Sequence, residues 1–167
     1  MGSIRGAHNV SNELGEVLVT SAVTTSHNWA GTTIGLSPHV AVAGRNYRVI
    51  EVGFTVQTVG TNATAVANAF DFGTTSDPDG LVDGAAVPVG AAVPVGNSIS
   101  TSRGGVNTVS FVPAGTGLVD SEGIGRITAG DVIVARGITN VVPLGAPGPA
   151  VIFYARLAPE IVRDFDN

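Results

Sequence analysis

The stretch Tyr47-Arg48-Val49-Ile50-Glu51-Val52-Gly53-Phe54-Thr55-Val56-Gln57-Thr58 decides the fold class. Ile50, Val52, Phe54 and Val56 recur at every second residue, with Val49, Glu51, Thr55 and Gln57 between them. Successive side chains of an extended chain point to opposite faces, so this alternation predicts a long strand with one buried and one polar face. Gly60, Thr61 and Asn62 then supply turn residues. In residues 63–72 the alternation resumes, with Val66, Phe70 and Phe72 set against Ala65, Ala67 and Asp71. The two runs predict an antiparallel hairpin.

The same rule works outward along the chain. Residues 16–25 are β-branched and Thr-rich, and residues 32–36 and 40–43 are short pieces between Gly31 and Gly44. Residues 106–112, 131–136 and 151–158 complete the set. In the last, Ile152, Tyr154 and Arg156 alternate with Val151, Phe153, Ala155 and Leu157. About eight short strands separated by Gly, Pro, Asn and Asp turns predict an all-β sandwich or barrel. The best helix candidate is the tail, residues 159–165, with Pro159 at a first-turn position, and it is too short to change the class. Gly84-Ala85-Ala86-Val87-Pro88-Val89 is followed at once by the same six residue types from Gly90 to Val95. Pro88 and Pro94 have no N–H to give to a ladder, so this repeat predicts an edge strand or an extended loop. There the prolines also block edge-to-edge pairing.

Composition removes several function classes. The net charge is −5, and the eight positive residues, all arginines, are scattered at 5, 45, 48, 103, 126, 136, 156 and 163. A nucleic-acid binder needs a clustered basic face to displace phosphate counterions, so nucleic acid is not an expected partner. No run of about 20 apolar residues is present and the first residues lack an apolar segment, so neither a membrane span nor a secretory signal is expected. The absence of cysteine removes disulfides and thiolate metal sites. Charged residues make up only 13% of the chain, which suits a surface partly hidden against copies of itself more than a solitary monomer.

The candidate chemistry is sparse. Asp77, Asp79 and Asp83 around Gly80 form an incomplete calcium-ligand set. The full loop pattern, with its alternating third ligand and closing Glu, is missing, and Asp77-Pro78-Asp79-Gly80 reads first as a turn between strands. His8, His27 and His39 lack metal-ligand spacing, and no Gly-x-Ser-x-Gly elbow occurs. The glycine-rich pieces at 115–117 and 123–126 do not open a helix, so no phosphate cradle is implied. Glu51 and Asp71 lie on strands expected to be neighbours, but no spacing rule makes them the facing carboxylate pair of a glycosidase. Trp29, beside His27 and Asn28, is the one candidate for stacking on a sugar ring, against the blander role of a core or interface plug. No catalytic residue and no cofactor are expected, and the chain reads as a non-enzyme.

The run at 48–72, the segment Asp71-Phe72-Gly73-Thr74-Thr75 … Asp77-Pro78-Asp79-Gly80-Leu81 and the strand Val151-Ile152-Phe153-Tyr154-Ala155 together resemble small jelly-roll structural proteins of tailed bacteriophages. Among these the chain is most similar to capsid decoration (cement) proteins, over residues 45–158. The resemblance implies a jelly roll, a homotrimer seated on the major capsid protein outside the head, and a shell stabilised by bridging capsomers. Related domains occur in fibres and baseplates, so the alternative is a fibre or baseplate domain that binds host glycans. The expectation is thus an all-β, jelly-roll-like β-sandwich of residues 16–158, flanked by flexible arms at 1–15 and 159–167. It is assembled in the host cytoplasm onto the virion exterior, with neither membrane nor nucleic acid as partner.

Overall fold

The computed structural model describes residues 15–22, 24–25, 33–36, 45–58, 68–87, 95–102, 109–139 and 150–160. These carry ten strands and no helix: β1 (Val17–Thr20), β2 (Thr24–Thr25), β3 (Thr33–Gly35), β4 (Tyr47–Thr58), β5 (Asn68–Thr74), β6 (Val82–Val87), β7 (Ser98–Ser100), β8 (Gly125–Ile127), β9 (Ile133–Thr139) and β10 (Ala150–Pro159). One sheet runs β1-β10-β4-β7, with β2 also on β10 and β8 also on β4, and the other runs β3-β9-β5-β6. Every pairing is antiparallel. Renumbering in chain order the eight strands on these two paths gives 1-8-3-6 and 2-7-4-5, the interleaving of a double-sheet jelly roll.

That order corrects the expected hairpin. β4 pairs with β10, β7 and β8, whereas β5 pairs with β6 and β9, so the two runs lie in opposite sheets. Both runs are amphipathic, and amphipathic strands can bury their apolar faces against each other across a sandwich as well as side by side. Phe54 and Phe153 are direct cross-strand neighbours in the first sheet. They meet Phe70 of the second sheet edge-to-face, with centroids 5.1 and 5.2 Å apart, and Phe72 lies 5.6 Å from Phe153. All four rings are buried, and Val19, Val52, Val56, Val151 and Leu157 pack into the same core.

The alternation along β4 breaks once. Glu51 pairs with Arg156 but Val49 pairs with Leu157, which leaves Ile50 as the extra residue of a bulge. The parity therefore switches: Tyr47 and Val49 face inward before the bulge, and Val52, Phe54 and Val56 after it. Ile50 is half-buried and does not share the face of Val52, contrary to the uninterrupted alternation read from the sequence.

Other boundaries shift for local reasons. The single strand expected at 16–25 is two, because Ser21 interrupts it, accepting from Phe153 N through its hydroxyl at 3.0 Å. The strand expected at 106–112 is not formed in its described part: residues 109–112 run irregularly, with Val112 N bonded to Leu81 O at 2.9 Å just before Pro113. The strands β7 and β8 were not anticipated, being three residues each and too short for a periodic signal. The first copy of the repeat ends β6, an edge strand as expected, while Pro88 and Pro94 lie outside the described residues. So do the pieces at 40–43 and 63–67, most of the proposed arms, and the tail from 161. Pro159 and Glu160 belong to the body instead: Pro159 closes β10, and Glu160 N donates to Asn46 O at 2.9 Å.

Candidate functional site

Among the described residues each sheet carries one buried carboxylate on its outer side, and each carboxylate has an arginine as its direct cross-strand neighbour. In the second sheet Asp71 of β5 opposes Arg136 of β9. It sits between Phe70 and Phe72, which point into the core, so its own side chain turns outward. The side chain is only 1% exposed, because the turn after β5 folds back over the sheet. Thr74 and Asp77 exchange backbone bonds of 2.9 and 3.2 Å, and a Cβ on Gly73 would stand 2.7 Å from the carbonyl carbon of Pro78. Only glycine lets the turn lie that close.

Asp71 Oδ2 accepts from Arg136 Nε at 3.0 Å and Nη2 at 2.7 Å, and Oδ1 accepts from Gly84 N at 3.0 Å where β6 bulges. The Asp71 carboxylate holds the Arg136 guanidinium above its ordinary pKa. Asp79 reaches the same arginine at 3.7 Å.

The three calcium-ligand candidates are therefore spread over different tasks. Asp77 bridges the turn through its backbone, Asp79 faces Arg136, and Asp83 is exposed on β6. Burial and the adjacent Asp79 carboxyl raise the Asp77 pKa. Among the described residues, no three of His, Cys, Asp and Glu converge as metal ligands. His8, His27, His39 and Trp29 lie outside the described residues.

The first sheet is arranged differently. Glu51 of β4 opposes Arg156 of β10 and is 4% exposed. Its Oε1 accepts from the Tyr154 hydroxyl at 2.8 Å, and its Oε2 accepts from Arg156 Nη1 at 3.1 Å. Arg156 Nη2 donates in turn to Glu16 Oε2 at 2.6 Å. Burial pushes the Glu51 carboxyl up, but hydrogen bonds from Ser100, Tyr154, Ser102 and Arg156 outweigh it and hold the group below its ordinary value of 4.5. Tyr154 moves the opposite way, raised by burial and by the neighbouring carboxylate. Next to this network the Thr55 and Ser98 hydroxyls bond each other at 2.8 Å.

Gly53 makes the arrangement possible. A Cβ there would stand 2.6 Å from Ser100 Cβ and 2.8 Å from its Cα. The bare glycine lets Ser100 of β7 sit where a side chain opposite Tyr154 would stand. The resulting outer face is a groove of about 470 Å³. Leu18 and Thr20 of β1 form one side, Ile152, Tyr154 and Arg156 of β10 the floor, and Thr55, Gln57 and Ser98 the other side. Of these residues the sequence placed Ile152, Tyr154 and Arg156 together on one face of their strand. Alternation alone does not bring Glu51 to them, because it sets β5 rather than β10 beside β4.

No family model matches the chain, and comparison with curated proteins and with solved structures gave no significant match.

Proposed function

We propose that this chain is a structural protein of a tailed-phage virion, a trimeric decoration protein that binds the major capsid protein on the outside of the head and bridges capsomers. The observation that carries this reading is the strand order, 1-8-3-6 over 2-7-4-5, which is the jelly roll that the sequence resemblance implies. The sparse charge supports it further. Charged residues make up 13% of the chain, and interface centres are depleted of charge, which suits a chain that packs against copies of itself.

The same reading assigns the chain no catalytic role and no cofactor. A glycosidase needs two carboxyl groups facing each other across a cleft. Glu51 and Asp71 lie on opposite sheets, and each is tied to its own arginine. Glu16 and Glu51 share Arg156 between them, which spends both carboxylates on one cation. Light scattering of the purified chain tests the assembly: a particle of three times the 16.7 kDa chain mass is expected. A monomer at every concentration would contradict the trimer.

A further inference from the structure

We propose that the groove on the outer face of the first sheet binds a neutral saccharide, stacked on the ring of Tyr154. The proposal is separate from the virion role above and holds for a head, fibre or baseplate location alike.

The ring position comes from the ladder. Tyr154 is the direct cross-strand neighbour of Gly53, its hydroxyl bonds Glu51 Oε1, and its side chain lines the groove. β7 lies on the far side of Gly53, and its Ser98 lines the groove together with Tyr154. The Glu51 bond fixes the ring, so little rotational freedom remains to be lost when a ligand stacks on it. Amphipathic rings of this kind present an apolar face beside a polar tip, which matches the apolar face and hydroxyl rim of a pyranose.

The remaining lining sets the ligand class. Leu18 and Ile152 supply apolar contact at one side, and Gln57 offers both a donor and an acceptor at the other. The volume of about 470 Å³ falls within the size range of small-molecule sites. Charge argues for a neutral ligand: Glu16 and Glu51 exceed Arg156 by one negative charge, and Arg156, the arginine among the described lining residues, is already paired with both. The groove crosses four strands, β1, β10, β4 and β7, a span of about 14 Å at the usual strand spacing. That is longer than one ring and predicts tighter binding of oligosaccharides than of free monosaccharides.

The test is a calorimetric and NMR titration of the full chain with neutral hexoses, N-acetylhexosamines and their short oligomers, with sialic acid as the anionic control. At least one neutral sugar should bind, with affinity rising with chain length and no response to sialic acid. Tyr154→Ala should weaken binding at least about tenfold, the equivalent of ~1.4 kcal/mol. Gln57→Ala should weaken it less, and Asp79→Asn in the turn after β5 should leave it unchanged. Far-UV circular dichroism and the urea midpoint of each variant separate loss of fold from loss of ligand. Because Tyr154→Ala also removes a bond to Glu51, Tyr154→Phe serves as the second variant: it keeps the stacking surface and should retain most of the binding. Binding that survives Tyr154→Ala, preference for the anionic sugar, or silence across the neutral panel would each overturn the proposal. None of these results bears on the trimer.

Discussion

The two outer faces are built on the same device and end in different places. On both, an acidic residue of an inner strand opposes an arginine of the adjacent inner strand: Glu51 with Arg156, Asp71 with Arg136. Around Asp71 everything closes. The second oxygen goes to a backbone N–H at the β6 bulge, and the turn at 74–80 lies over the sheet. Around Glu51 the partners are side chains, Tyr154, Ser100 and Ser102, and the face stays open as a groove. A buried ion pair therefore says little by itself about role. What surrounds the carboxylate decides whether the pair is a local fastener or the floor of a surface that can meet a ligand.

The sharpest way to break the comparison is to remove what both faces share. Phe70→Ala deletes the ring that touches Phe54 and Phe153 of the opposite sheet, and should cost about 3–5 kcal/mol in urea unfolding. Both faces should loosen together. Asp71→Ala should cost about 2 kcal/mol, less than a fully buried pair, because Arg136 is 37% exposed and can turn to water. Its signature is a lower urea midpoint at unchanged slope.

Glu51→Gln keeps an amide in the same network and should cost about 1 kcal/mol at neutral pH. Its larger signature is in acid. The folded-state pKa of Glu51 lies below its ordinary value of 4.5, so its stabilisation is complete above 4.5 and is lost as pH falls through the folded value. Asp77 carries the opposite sign. Its folded pKa is raised, so its contribution favours the folded state in acid and is lost as pH rises through that value. Urea midpoints taken from neutral pH downward should fall for the wild type below 4.5, and the fall should be shallower in Glu51→Gln. An identical acid limb in both proteins would remove Glu51 from the account. The smallest effect belongs to Asp79→Asn, whose 3.7 Å contact with Arg136 is half-exposed and should matter by less than about 0.5 kcal/mol.

Much of this was legible in the sequence. The bounds of β4 and the inward face of β10 follow directly from period-two alternation, and so does the inward pair Phe70 and Phe72. Partnership was not legible. Alternation tells which face of a strand is apolar, but an apolar face is satisfied equally by a neighbour in the same sheet or by a strand in the facing one. That ambiguity put β5 beside β4 and hid the meeting of Glu51 with Tyr154 and Arg156, more than a hundred residues away in the chain. The bulge at Ile50 was hidden for a related reason, since the extra residue is defined only against Arg156 and Leu157 of the partner. Gly53 carried a readable signal, a glycine inside an otherwise strong strand, which marks a bulge or a close approach. Here it marks the approach of β7.

The most direct test of the virion role is co-sedimentation of the purified chain with expanded, undecorated phage heads. The account predicts saturable binding at a fixed number of chains per capsid subunit, and heads that withstand heating or chelation better once decorated. Failure to bind any such head at concentrations where the trimer is intact would contradict it.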